Sequence, residues 1–138
     1  MYLQLTHRRQ YAYSRRNEDV RVRNLCGESE TTYAYNTNGR LSQLLVKTTD
    51  GVITKYVYGI GLIGEETSGS FKTYHFDYRG STAAITDING NVTDTFEYDT
   101  YGNLVSRTGT SAVIFLYNGR DGVVTDRNGL IYMRARYY

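Results

Sequence analysis

The residues with the most chemical capacity are few and scattered. His7 and His75 are the two histidines. They lie far apart in sequence and neither has a ligand-spaced neighbour, so they do not suggest a metal pair. Gly59-Ile60-Gly61-Leu62-Ile63-Gly64 spells Gly-x-Gly-x-x-Gly. A dinucleotide site needs such a turn to open a helix, and no helical pattern follows this one. Serine, histidine and aspartate are all present, yet there is no Gly-x-Ser-x-Gly elbow to expose a nucleophile. Cys26 stands alone, which excludes a disulfide framework and a cysteine-based metal site. Arg134 and Arg136, with Tyr132 and Tyr138, could form a cationic-aromatic strip of the kind that meets sugars or nucleobases. A recurring Asp-x-x-Gly unit could be taken for a calcium loop, but it lacks the carboxylate density and the closing bidentate glutamate. The expectation is therefore no metal and no cofactor.

The same Asp-x-x-Gly unit has a better use as a turn. It reads Asn36-Thr37-Asn38-Gly39, Asp77-Tyr78-Arg79-Gly80, Asp87-Ile88-Asn89-Gly90, Asp99-Thr100-Tyr101-Gly102 and Asp126-Arg127-Asn128-Gly129, with Thr49-Asp50-Gly51 a shorter relative. Asp or Asn at the first position accepts hydrogen bonds from backbone N–H groups further on, and Gly at the fourth supplies the left-handed conformation that ends the turn. Each unit should reverse the chain between antiparallel strands.

The flanks fit strands. Tyr33-Ala34-Tyr35, Tyr74-His75-Phe76 and Phe96-Glu97-Tyr98 precede turns, and runs such as Leu41 to Lys47 and Leu104 to Arg107 follow them. Val92, Phe96 and Tyr98 alternate with Thr93, Thr95 and Glu97, but Asp94 falls on the apolar side. Ile131, Met133, Ala135 and Tyr137 share one parity in the last run; Tyr132, Arg134, Arg136 and Tyr138 share the other. The chain has 15 Tyr, 14 Gly and neither Pro nor Trp. Tyr packs well on a pleated surface and Gly serves tight turns. About ten strands with turn signals every 8–12 residues are expected, and no segment shows a capped helical period. Residues 59–70 read as a glycine-rich hairpin with bulges. The fold class is all-β and antiparallel.

The 138 residues suggest one domain or a piece of a larger one. A net charge of +2 argues against a strong polyanion binder, so no nucleic-acid partner is expected. The charge is uneven: Arg8, Arg9, Arg15, Arg16, Arg21 and Arg23 face only Glu18 and Asp19 in the first 25 residues, read as a solvated N-terminal segment. No apolar run approaches the roughly 18–20 residues of a membrane span. Met1 is followed by a mixed stretch, not the apolar core of a signal peptide.

Several stretches together carry a resemblance. Tyr33-Ala34-Tyr35-Asn36-Thr37-Asn38-Gly39-Arg40-Leu41 resembles the YD repeat, whose core is Tyr-Asp, two residues, Gly-Arg-Leu. Tyr98-Asp99-Thr100-Tyr101-Gly102-Asn103-Leu104 is a second copy that keeps the Tyr-Asp pair. Tyr74 to Thr82, followed by Thr86-Asp87-Ile88-Asn89-Gly90, is similar to the block that leads into the RHS core. Gly129 to Tyr138, closing on Arg134-Ala135-Arg136-Tyr137-Tyr138, resembles the core signature. The resemblance covers residues 31–138 and leaves 1–30 as a divergent Arg-rich segment. It implies an arc of a spiral β sheet, part of a hollow shell. RHS and YD proteins include polymorphic toxins and wall-associated proteins, secreted or displayed at the cell surface. Their shells enclose a variable C-terminal toxin domain. Within such a shell, Arg134 and Arg136 would pair with acidic groups.

In many members of that family the core cuts the toxin free by aspartate-based self-cleavage. Such chemistry needs two adjacent carboxylates, one protonated and one ionised. Arg120-Asp121 matches the family's Arg-Asp pair in kind and place; the plainer reading is a turn ending at Gly122. The partner aspartate and the cleavage point would lie beyond Tyr138. The expectation is thus a non-enzymatic scaffold segment, truncated before the toxin, with the rest of the shell and the toxin as partners. The alternatives are a carbohydrate or cell-wall binding module working through exposed Tyr, and a self-processing core in the full-length parent.

Overall fold

A computed structural model describes residues 2–5, 9–13, 19–24, 30–36, 43–125, 129–133 and 136–137. Up to residue 30, and from 132 onward, the description is confined to the backbone. The strands are β1 (Tyr2–Leu5), β2 (Arg9–Tyr13), β3 (Asp19–Asn24), β4 (Glu30–Asn36), β5 (Gln43–Thr49), β6 (Val52–Tyr58), β7 (Leu62–Thr67), β8 (Ser70–Phe76), β9 (Thr82–Thr86), β10 (Val92–Tyr98), β11 (Leu104–Thr108), β12 (Val124–Thr125), β13 (Ile131–Met133) and β14 (Arg136–Tyr137). Among the described residues there is no α-helix, only a 3₁₀ turn at Gly119–Asp121. The fold is all-β, and the strand pairs are antiparallel.

The chain divides into two units, Met1–Tyr56 and Val57–Tyr138, with the boundary inside β6. In the first unit, β1 to β6 pair in chain order as a meander. The β5–β6 reversal is a two-residue turn, Asp50-Gly51, with both residues at positive φ (50° and 81°). That is the turn whose twist suits a hairpin, and Asp-Gly is its preferred sequence. Among the described residues of this unit, Leu44 and Tyr56 are the buried apolar side chains.

In the second unit, β7 to β11 also pair in chain order, and β12, β13 and β14 form a separate small sheet. The glycine-rich stretch at 59–70 resolves into a bend and then an unbulged hairpin, Thr67 opposite Ser70 across Ser68-Gly69. Bulges do mark other reversals. After each of four reversals the return strand holds one extra residue: Leu45 in β5, Ala83 in β9, Thr93 in β10 and Val105 in β11. Such an insertion increases local twist.

The parity read through residues 131–138 does not describe one strand. Met133 pairs with Arg136 and Tyr132 with Tyr137, so the chain reverses between them. A face pattern cannot continue through a reversal. Asn36 sits in β4 opposite Gln43, and Gly39 lies outside the described residues.

The core of the second unit is built by laying residues 113–123 on the sheet. Leu62, Tyr74, Ile85 and Phe96 come from β7, β8, β9 and β10, and Val113, Phe115, Leu116 and Val123 come from the covering segment. Phe115 and Ile85 are both 0 % exposed. Burying a phenylalanine this fully stabilises by about 2–3 kcal/mol relative to leaving it in water.

Candidate functional site

Three turns at 77–81, 87–91 and 99–103 share one hydrogen-bond scheme. Asp77 Oδ1 accepts from the N–H groups of Arg79 (2.9 Å) and Ser81 (3.0 Å). Asp87 Oδ1 accepts from Asn89 and Asn91, both at 2.9 Å, and Asp99 Oδ1 from Tyr101 (2.8 Å) and Asn103 (2.9 Å). Gly80, Gly90 and Gly102 close the turns at φ of 88°, 85° and 88°, a conformation glycine adopts without the Cβ penalty. In the second and third turns an asparagine in fifth place also donates its amide to the second carboxylate oxygen, at 3.2 and 2.8 Å. Hydrogen bonds from Asn91 hold the Asp87 carboxyl below the usual range, and those from Asn103 do the same for Asp99.

The first turn differs at its fifth place, where Ser81 replaces asparagine. Ser81 Oγ accepts the Asn118 N–H at 3.1 Å. The substitution turns a self-contained loop into an anchor. Around it, the Arg120 N–H donates to Gly80 O (3.1 Å), and the Thr82 N–H donates to Leu116 O (2.9 Å). Thr82 Oγ1 donates to Phe115 O at 2.7 Å, while Thr82 O accepts the Tyr98 hydroxyl at 2.9 Å. Thr82 is thus fully buried with its polar atoms satisfied.

The other end of the covering segment is fixed by Asp94, the residue that broke the apolar pattern. Val92 at the start of the same strand is 61 % exposed, and Asp94 is 0 % exposed. Asp94 Oδ1 accepts the Ser111 N–H at 2.9 Å. Its Oδ2 accepts the hydroxyls of Ser111 (2.6 Å) and Thr93 (2.8 Å). Arg107 Nη2 lies 3.6 Å from Oδ1, and the Arg107 guanidinium also donates to Ser111 O. Lys72 Nζ donates to Ser111 Oγ at 2.7 Å. Burial pushes the Asp94 carboxyl up, but the hydrogen bonds from Ser111 and Thr93 and the nearby Lys72 charge outweigh it and hold it below the usual range. Gly109 makes the approach possible, since a Cβ there would overlap Asp94 Oδ1 and Thr93 O.

Lys72, Ser111 and Asp94 superficially make an activated-serine array. The direction of the bonds argues otherwise. Ser111 Oγ accepts a hydrogen bond from Lys72 and donates one to a carboxylate held in its ionised form. A nucleophilic serine needs a neighbour basic enough to take its proton. The array is built to fasten a loop.

Arg120 and Asp121 sit in the 3₁₀ turn after Asn118, itself left-handed at φ 49°. Arg120 Nε stands 3.6 Å from Asp121 Oδ1, with side chains 45 % and 57 % exposed. The Arg120 side chain packs against Gly61 and Gly80, where an added Cβ would meet it at 2.7 and 3.2 Å. His75 Nε2 lies 2.9 Å from Thr86 Oγ1 on the exposed side. The Gly-x-Gly-x-x-Gly run leads into strand β7, with no helix after it. Gly129 has φ 82°, whereas Asp126, Arg134 and Tyr138 lie outside the described residues, as do the side chains of Arg136 and Tyr137. His7 and Cys26 lie outside them too.

Sequence reasoning singled out Asp94 only as an irregularity and did not reach Ser111, Lys72 or Thr82. The usable signal was an acid on an apolar parity followed by Gly109 and a serine.

Fold and site together define an all-β meander whose turns are pinned by aspartate and whose face is covered by a clasped segment. No family model matches the chain. It is similar to the tRNA3(Ser)-specific nuclease WapA of Bacillus spizizenii, 28% identical over 124 residues. The match covers 86% of this chain and 5% of that protein. The chain therefore spans about one twentieth of the curated relative.

Proposed function

We propose that the chain is a scaffold segment of an RHS/YD-repeat shell that encapsulates or presents a C-terminal toxin domain. The observation that carries this reading is the bulged hairpin repeated at 76–84, 85–94 and 97–106 with one hydrogen-bond scheme. A repeated hairpin extends a sheet indefinitely and gives each copy only its neighbours to lean on, which suits a wall. The similarity to a small part of a large nuclease supports it: a segment of that size, without an activated nucleophile in its clasp, is a carrier of a nuclease more readily than a nuclease. The partners are then the remainder of the shell and the toxin domain, in a secreted or surface-displayed parent, and the segment is not itself an enzyme.

The test has two arms. The purified 138-residue chain should leave tRNA intact at micromolar concentration. In the longer protein, the downstream domain should resist limited proteolysis and become sensitive when Phe115→Asp opens the covered face. Cleavage of tRNA by the segment, or a downstream domain equally sensitive in both proteins, overturns the reading.

Two further readings have specific support. Tyr101, 85 % exposed in its turn, offers its ring to a glycan, while the equally exposed Tyr78 carries the Arg79 guanidinium over one ring face; loss of glycan affinity in Tyr78→Ala/Tyr101→Ala would establish it. Asp121 beside Arg120 keeps the self-processing role open for the longer protein. Asp121→Asn should then abolish time-dependent self-cleavage.

A further inference from the structure

The covering segment is held unevenly along its length. Its later part is tied down by backbone groups: the Thr82 N–H donates to Leu116 O and the Arg120 N–H to Gly80 O, and Phe115 is fully buried. Residues 109–113 are held differently. Among the described residues, their hydrogen bonds to the sheet all pass through Ser111 to three side chains, Asp94, Lys72 and Arg107. Gly109, Thr110 and Ala112 are exposed, and Val113 is the one apolar anchor of the stretch. Left-handed Gly109 (φ 81°) bounds it on one side. On the other, Ile114 O accepts the Thr125 N–H of β12 at 2.7 Å, a bond outside the sheet β7 to β11.

The three side chains that meet at Ser111 carry one negative and two positive charges. Asp94 stands opposite Ile85 of β9, Arg107 approaches it from β11, and the Lys72 charge acts on it from β8. Lys72 is itself opposite Glu65 of β7, whose carboxylate accepts the Tyr74 hydroxyl at 2.8 Å. Asp94 Oδ1 already accepts an N–H and Oδ2 two hydroxyls, so a proton on either oxygen sets a donor against a donor. It also leaves Lys72 and Arg107 as like charges around one serine. We propose that residues 109–113 are an acid-released flap: a proton on Asp94 frees Ser111, and the flap lifts while β7 to β11 and residues 115–123 stay folded. The sign follows from the closed form, which holds the Asp94 carboxyl below its ordinary value. Closure is complete well above about 3.9, the value in the open form, and weakens as pH falls through the closed-form value. Opening bares Asp94 and parts the cover at its N-terminal end. This inference stands apart from the scaffold reading, because it concerns movement within this chain.

The experiment is amide hydrogen exchange of the 138-residue chain, resolved by residue and expressed as protection factors from about pH 6 to about pH 3.5. The Ser111 N–H reports the flap, the Thr82 N–H the later part of the cover, and the amides of β9 the sheet. The ratio of Ser111 to Thr82 protection should fall about tenfold or more across this range, the effect of losing hydrogen bonds to a charged group, while β9 keeps its protection. In Asp94→Asn the ratio should be low throughout and independent of pH. The wild-type ratio decides alone where that variant folds poorly. Three results overturn the proposal: Ser111, Thr82 and β9 losing protection together, which makes them one cooperative unit; a wild-type ratio that stays constant down to the lowest pH; or a folded Asp94→Asn chain whose Ser111 remains as protected as in the wild type at pH 6.

Discussion

Ser111 meets Asp94 twice, through its backbone N–H at 2.9 Å and its hydroxyl at 2.6 Å, across 17 residues of sequence. One serine thereby satisfies both oxygens of a carboxylate that has no exposed surface. Removing one side of such an arrangement leaves buried polar groups unpaired. Asp94→Asn, which keeps the shape and loses the charge, should destabilise the second unit by about 2–3 kcal/mol. Gly109→Ala should reproduce much of that loss by pushing the loop off the carboxylate. Urea melts followed by circular dichroism would check both; midpoints within error of the wild type would show that the clasp contributes nothing.

The acid limb of stability follows from the same groups. Asp94, Asp87 and Asp99 all have folded pKa values below their ordinary one. Folding therefore favours their ionised forms. Their contribution is present above the unfolded value of about 3.9 and is lost as pH falls through the folded values. Stability should hold from neutrality to about pH 5 and then decline. The decline should be shallower in Asp94→Asn, read from denaturant midpoints across pH.

Tyr98 makes the opposite case at high pH. Burial raises its pKa well above 10, the nearby Asp77 adds to this, and Arg107 acts against it. Folding favours the neutral phenol, so its contribution is complete below about pH 10 and is lost as pH rises toward the folded value. A spectrophotometric titration should show at least one tyrosine ionising only on alkaline unfolding. Tyr98→Phe should remove that late step and cost about 1 kcal/mol by deleting the bond to Thr82 O.

Two glycines in equivalent turns separate backbone from packing. A Cβ at Gly90 meets nothing within 4 Å, whereas one at Gly102 meets the Tyr117 ring at 2.8 Å. Gly90→Ala should cost about 1 kcal/mol for the left-handed backbone alone. Gly102→Ala should cost more, and the excess should vanish when Tyr117→Ala is made in the same chain. An excess that survives in the double variant would place the cause outside that contact.

The all-β, antiparallel class was legible because aromatic runs and glycine turns are local signals. Phe96 in β10 and Asp99 beyond it announce their structure within a few residues. The cover was not legible. Residues 109–123 have neither strand alternation nor helical period, since their shape is dictated by distant partners such as Thr82 and Asp94. Ser81 is the sharpest case: one residue type in the fifth place of a turn decides whether the loop bonds to itself or to Asn118, and nothing nearby in sequence says so. The tail misled for a different reason, because a tight reversal between Met133 and Arg136 preserves an alternating pattern that belongs to two strands.

The extra residues at Ala83, Thr93 and Val105 behave like phase shifts in a periodic signal. Each sits immediately after a reversal, on the returning partner only. Deleting one would exchange the wet and dry faces of everything downstream within that strand. Adding or removing an entire turn-and-return module would leave the remaining phases untouched. A sheet written this way keeps its faces when its length changes only if whole modules are gained or lost.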